Sequence, residues 1–388
     1  MLKIGILTYH RARNYGAYLQ AYGLCQRLNE EPDIDAEIID FHMQKEVDFY
    51  MHKPNKKLAW LRQLKWRMTH FSTFLHEKKL QKTFDAAMEK MLKSKEYLCS
   101  DSIEDFQKFV KGKYDVIIAG SDEIWYMKSL RGFPTPYWLP GDLGCLKFSY
   151  AASSRSDLSQ YDKQTINKIN ILLNGFSYLS VRDETTRKNF CEYLDLNTEP
   201  VLYSDPSFIY DYKPNAEHGR ELLKEIKRNK PNKKVAVIMV SLYNIEAADQ
   251  IKKELSDEYQ LLSVFDWHRG YINVSYLSPF DWIDVIAGAD LICASFFHAI
   301  CFSVICQKPF IALNIDNKES KLRDVLEGSE NMDRLIDEDQ LFKPGFLKQK
   351  AKELSYPCNG AEYVEKNRLR FEDYLVVLRK CVSERINK

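Results

Sequence analysis

Four short stretches carry side chains suited to binding an anion or moving a proton, and each directly follows an apolar run. Thr8-Tyr9-His10-Arg11-Ala12-Arg13-Asn14-Tyr15-Gly16-Ala17 follows Lys3-Ile4-Gly5-Ile6-Leu7. Gly120-Ser121-Asp122-Glu123-Ile124-Trp125 closes the run from Tyr114 (YDVIIAG). Ser180-Val181-Arg182-Asp183-Glu184 and Cys293-Ala294-Ser295-Phe296-Phe297-His298-Ala299 are the other two. In open α/β sheets, ligands bind beyond the carboxyl ends of the strands, so polar residues at these points are the first to test for chemistry.

Each stretch has a functional and a structural reading. Asn14 can cap a helix that begins at Tyr15, and Gly16 would let a ligand approach N–H groups at that helix start. The bland alternative is an ordinary capped turn. Gly120 permits an abrupt turn, Ser121 can cap, and Asp122 or Glu123 can act as a base; otherwise they form a cap with Trp125 in the core. The planar fork of Arg182 suits a phosphate or carboxylate, unless it is spent on an ion pair with Asp183 or another neighbour. His298 falls where a strand gives way to a helix. A helix N-terminus favours neutral imidazole, able to act as base or donor near pH 7. Ser295 precedes it at the strand end. Ser153, Ser154 and Arg155 follow another strand end. His10 and His268 are secondary contacts, and His42, His52, His70, His76 and His218 read as solvated.

These residues must be positioned by alternating strands and helices. The apolar run at 3–7, a helix over 15–28 and a strand over 36–41 form a βαβ unit, the seed of a doubly wound sheet. Strands follow at 114–120, 148–152 and 178–182, with a helix over 160–173. A polar seam at 211–234 precedes a second series: strand 235–240, helix 245–256, strand 260–265, helix 279–288, strand 290–294, helix 298–306 and strand 309–314. The expected fold is therefore α/β, with two Rossmann-like domains over 1–212 and 213–345 facing a cleft. A helical tail over 346–388 should lie across both. A basic helical insert (about 51–110) interrupts the first domain; its residues 51–95 hold twelve Lys/Arg against three Asp/Glu.

Composition narrows the class. The 388 residues are 45% hydrophobic, enough for a core in each half, and the net charge of +1 argues against a nucleic-acid binder. The nine cysteines are irregularly spaced with no CxxC pair. They read as reduced core residues of a cytoplasmic protein, with no metal site expected. The N-terminus does not read as a signal peptide and no apolar run is long enough to span a membrane. No dinucleotide GxGxxG fingerprint is present.

Taken in order, these stretches resemble the polysaccharide pyruvyl transferase family. The matching residues are Asn14-Tyr15-Gly16-Ala17 with Leu19-Gln20-Ala21-Tyr22, and Gly120 to Trp125 with Glu123 where the family has Gln. Lys147 to Ser153, Ser180 to Arg182, Ser295 to His298, and Lys308-Pro309-Phe310 complete the set. They span about residues 1–325. The resemblance implies a GT-B-like fold and transfer of an enolpyruvyl group from phosphoenolpyruvate to a sugar or lipid-linked oligosaccharide. The product would be a pyruvate ketal in surface polysaccharide (capsule or exopolysaccharide) synthesis. It needs no cofactor beyond that co-substrate. It would make His298 and Asp122 the catalytic residues, and Asn14, Tyr15, Gly16, Gly120, Ser121, Arg155, Arg182 and Ser295 the substrate contacts.

Two positions depart from the pattern. Some members carry Arg two residues before the late His, where this chain has Phe296, and Ala299 replaces a Gly. Phosphoenolpyruvate then requires another cation, such as Arg155 or Arg269. The competing expectations are a GT-B glycosyltransferase using a nucleotide sugar and a non-catalytic partner in a polysaccharide assembly complex. The insert, with Trp60 and Trp66, would rest on the inner membrane face or on another protein, or pack its aromatics inward as a solvated hairpin.

Overall fold

A computed structural model describes residues 1–50, 71–226, 233–315 and 319–387. Two six-stranded sheets, parallel throughout, carry the chain. The first has the order β2-β1-β5-β6-β7-β8, where β1 is Leu2–Leu7, β2 Ile34–Ile38, β5 Val116–Asp122, β6 Leu146–Ala152, β7 Ser180–Val181 and β8 Val201–Leu202. A separate pair, β3 (Phe41–His42) and β4 (Leu98–Cys99), flanks it. The second sheet has the order β11-β10-β9-β12-β13-β14: β9 Lys234–Met239, β10 Tyr259–Ser263, β11 Ile272–Asn273, β12 Leu291–Ala294, β13 Phe310–Asn314 and β14 Leu335–Asp337. Parallel strands are covered by crossover helices on both faces, which is why β1, β5, β9 and β12 read as unbroken apolar runs rather than alternating ones.

The first sheet ends with β8 at Leu202 and the second begins with β9 at Lys234, an interval that starts earlier than the expected seam at 211–234. Much of that seam is the helix Ala216–Ile226, which lies against Pro279–Gly288 in the second domain. Gly219 makes this closeness possible, because a Cβ there would sit 1.7 Å from the carbonyl oxygen of Asp284. The reading of one strand over 36–41 is corrected: β2 stops at Ile38, and Phe41–His42 pairs with Leu98–Cys99 instead.

The domains share a core. The Tyr15 ring stacks on Trp282 of the second domain, with centroids 5.1 Å apart and planes 7° from parallel. Its hydroxyl donates to the Leu277 carbonyl at 3.2 Å. The insert helix Phe71–Glu89 also bridges the domains. His76 Nε2 lies 2.7 Å from the Phe265 carbonyl oxygen and Thr83 Oγ1 donates to that of Ser275. Leu80, Phe84 and Ala87 point into the core while Lys78, Lys79 and Lys82 are exposed. His76 is thus buried rather than solvated. Residues 51–70, with Trp60, Trp66, His52 and His70, lie outside the described part. The C-terminal helix Ala361–Ile386 returns to the first domain. Tyr374 packs edge-on against Tyr150 and Tyr203, and Arg379 pairs with Glu31 and Asp33.

All nine cysteines are free, and four of them are buried. No group of side chains among the described residues is arranged to hold a metal ion. No described helix is long and apolar enough to cross a membrane.

Candidate active site

The carboxyl ends of β1, β5, β9 and β12 open on one cavity of about 360 Å³ between the domains. The first domain supplies Asn14, Gly16, Asp122, Glu123, Arg131, Arg155 and Arg182. The second supplies Ser295, Phe296, His298 and Lys321. Four basic side chains thus face two carboxylates.

His298 is in the first turn of the helix Phe297–Ile305, whose N-cap, Phe296, offers no side-chain acceptor. The N–H groups of Phe297 and His298 therefore receive no side-chain cap from Phe296. Beside them, the Ser295 hydroxyl is buried with no hydrogen-bond partner among the described residues. A buried unpaired hydroxyl costs on the order of 1–3 kcal/mol, which an anion at the helix start would offset.

Behind His298 stands Asp205, which sequence reasoning missed. It is fully buried and caps the short 3-10 turn Pro206–Phe208. Its Oδ1 accepts from the Ser207 N–H at 3.0 Å and the Ser207 hydroxyl at 2.7 Å. Its Oδ2 accepts from Ser121 Oγ and Arg182 Nη1, both at 3.1 Å, and lies 3.4 Å from His298 Nε2. That last approach is an ion-pair distance without hydrogen-bond alignment, so Nε2 is the one member not yet satisfied. Burial pushes the Asp205 carboxyl up. His298, Arg182 and the Ser207 N–H outweigh burial and hold it well below the usual carboxylate range.

The other predicted residues divide between cavity wall and support. Arg182 lines the cavity, pairs with Asp205 rather than Asp183, and sets its guanidinium over the Phe297 ring at 4.6 Å. Asp122 is at the end of β5 with φ of 74°, a left-handed conformation that Asp tolerates better than most residues. Its Oδ1 accepts from the Glu123 N–H. Strain of this kind is often kept where it aims a side chain. Asn14 lines the cavity, but its carbonyl oxygen is occupied as the helix cap, accepting from Gly16 and Ala17 N–H. Gly16 makes room for His298 instead of a ligand: a Cβ there would sit 2.0 Å from His298 Cγ.

Three expected contacts are corrected. Tyr15 is buried in the interdomain stack, Gly120 faces Ile6 and Leu24 under the sheet, and Ser121 is buried against Asp205; none lines the cavity. His10 is held between the Thr8 carbonyl and Asp40, and His268 Nε2 by the Val240 carbonyl, so neither reaches it. Of the two cations expected to stand in for arginine at 296, Arg155 lines the cavity and Arg269 does not. The Phe296 ring packs edge-on against Phe265.

Lys321 was also missed. Burial pushes its ammonium down to about 8, against the pull of Asp122. It pairs with Glu123, which also has Arg155 Nε 3.5 Å away. A glutamate in place of the family's glutamine therefore ties down a cavity cation.

Two doubly wound domains with a charged cleft between their strand ends define a GT-B-like scaffold. A family model for polysaccharide pyruvyl transferase matches residues 14–317, and the chain belongs to that transferase family. A comparison with curated proteins gives no match. Among solved structures, a UDP-GlcNAc 2-epimerase from Methanocaldococcus jannaschii aligns with TM-score 0.51 and 13% identity, covering 96% of this chain and 99% of that one. The S. aureus MnaA–UDP structure gives 0.52 and 9%, covering 97% and 98%. Anabaena Alr3699/HepE in complex with UDP-glucose gives 0.51 and 9%, covering 100% of both chains. At these identities the likeness is one of fold.

Proposed function

We propose that this chain transfers the pyruvyl unit of phosphoenolpyruvate to a sugar diol, free or lipid-linked, in surface polysaccharide synthesis at the cytoplasmic side of the membrane. The reaction balances without a further cofactor. The C2–O bond to phosphate breaks, and two C2–O bonds to sugar oxygens form. C3 gains one proton, the two hydroxyls lose two, and the second leaves with inorganic phosphate.

The observation that carries the reading is the convergence of His298, Arg155, Arg182, Lys321 and an uncapped helix start on one cleft. A donor with both phosphate and carboxylate needs such a set, and a single preorganised donor to developing charge contributes about 3–4 kcal/mol. With Phe296 in the arginine position, Arg155 and Lys321, both beside Glu123, supply the positive charge for the donor. Arg182 supplies fixed charge, because Asp205 already holds it. His298 is the proton-transfer group, which contributes roughly 10²–10⁴-fold. Asp122, aimed by its left-handed backbone, is the second.

Binding tests the reading first. Phosphoenolpyruvate should raise the unfolding temperature of the wild-type chain, and Arg155→Met with Lys321→Met should abolish the shift. The competing outcome is a UDP-sugar enzyme, since the S. aureus and Anabaena structures hold UDP and UDP-glucose. A shift with UDP-sugars and none with phosphoenolpyruvate would favour it.

A further inference from the structure

Asp205 is buried more completely than any structural role in its turn requires. Capping Pro206–Phe208 uses only Oδ1, which takes both Ser207 donors. Oδ2 is left to face Ser121, Arg182 and His298. Burying a carboxylate costs several kcal/mol before its partners repay it, so the second oxygen marks an arrangement worth explaining.

The two nitrogens of His298 are unlike. Nε2 is buried and turned to Asp205 Oδ2 at 3.4 Å. Nδ1 has no hydrogen-bond partner among the described residues. Gly16 lies beside it: a Cβ there would sit 2.2 Å from Nδ1, so any other residue at 16 would cover that nitrogen. A carboxylate can only accept, so a neutral imidazole facing it keeps its proton on Nε2.

We propose that Asp205 is a positioning residue that fixes His298 as the Nε2–H tautomer, presenting Nδ1 as the nitrogen that exchanges a proton in the cleft. This rests on the reading of His298 as the proton-transfer group.

Asp205→Asn tests it sharply. Neither the Ser207 N–H nor the Arg182 guanidinium can become an acceptor, and the orientation that keeps the two shorter Ser207 bonds puts the asparagine NH₂ in the place of Oδ2. That NH₂ then donates to Nε2 and drives the proton to Nδ1. The protein is labelled with ¹⁵N-histidine and long-range ¹H–¹⁵N spectra are recorded at alkaline pH, His298 being assigned from its loss in His298→Gln. The expected result is Nε2–H in the wild type and Nδ1–H in Asp205→Asn. Acceptor-dependent phosphate release from phosphoenolpyruvate should fall roughly 10²–10⁴-fold in kcat. Affinity for phosphoenolpyruvate should not weaken, since a negative charge has been removed; a collapsed site would weaken it. Nδ1–H in the wild type, an unchanged tautomer in the variant, or an unchanged kcat would overturn the proposal. If Asp205→Asn does not fold, the wild-type spectrum alone still decides, with Ser121→Ala expected to keep Nε2–H. If no variant or wild type releases phosphate, the donor assignment fails while the tautomer result stands by itself.

Discussion

Gly16→Ala puts the most crowded contact of the cleft to the test. Gly16 is in the first turn of the helix Tyr15–Asn29, without the positive φ that would make alanine costly there. On backbone grounds alone, alanine in place of glycine stabilises by about 0.4–1 kcal/mol. The new Cβ, however, would meet His298 at Cγ, Nδ1 and Cβ at 2.0, 2.2 and 2.3 Å. Ordinary contact begins near 3.4 Å, so ring and helix must separate by more than an ångström. Overpacking of this kind costs about 1–3 kcal/mol. The net expectation is destabilisation by about 1–2 kcal/mol, with His298 displaced. Misplacing a reacting group by about 1 Å costs on the order of 10²-fold in rate. Urea unfolding of four proteins measures this: wild type, Gly16→Ala, His298→Ala and the double variant. Removing the imidazole removes the clash, so Gly16→Ala should become stabilising by about 0.4–1 kcal/mol in the His298→Ala background. A Gly16→Ala protein as stable as wild type, or the same change in both backgrounds, would refute the close approach of the two helix starts.

Three further outcomes follow from the geometry. Asp205→Ala leaves the Arg182 guanidinium buried and unpaired, and should cost about 3–5 kcal/mol by chemical denaturation; Arg182→Met together with Asp205→Leu should recover much of that loss. Burial lowers the Lys321 ammonium from 10.5 to about 8. The unfolded chain holds this proton between those values and the folded chain does not, so stability should rise across pH 8–10.5 while binding of phosphoenolpyruvate weakens, and Lys321→Gln should remove both trends. Burial, with Asp183 and Glu184 nearby, pushes the Asp324 carboxyl up to about 6 against the Glu184 N–H that it accepts. The folded chain holds that proton longer, so stability falls as pH rises from about 4 to 6. Asp324→Asn should therefore be more stable than wild type at pH 7.5 by on the order of 1 kcal/mol after solvent screening, with little difference once the pH falls below about 4.

Much of the scaffold was legible because parallel strands buried on both faces write themselves as apolar runs. The helix Pro279–Gly288 was expected at its observed bounds, where Ser278 and Asp281 form a capping box. His298 and Arg182 stand out in the sequence by their places at strand ends, and both line the cavity. The misses share a cause. β8 is only two residues long, too short to show any periodicity, and Asp205 follows it in what reads as an Asp-Pro turn. Nothing local reveals that Arg182, 23 residues earlier, and His298, in the other domain, would meet there. An Asp-Pro-Ser directly after an apolar strand was the one available signal. Lys321 lies in a polar stretch after the strand 309–314, where no motif marks it. Tyr15 reads as a ligand contact in the sequence because proximity to a cleft and packing between domains look alike in one dimension.

Transfer of carbon from phosphoenolpyruvate labelled with ¹³C at C2 tests the central claim most directly. The chain is incubated with a panel of simple and lipid-linked galactosides, glucosides and mannosaminides, with His298→Gln as control. The account predicts a ketal carbon bonded to two sugar oxygens, formed with one equivalent of phosphate by the wild type and not by the variant. Label remaining in phosphoenolpyruvate across the panel, together with a stable UDP-sugar complex, would contradict it.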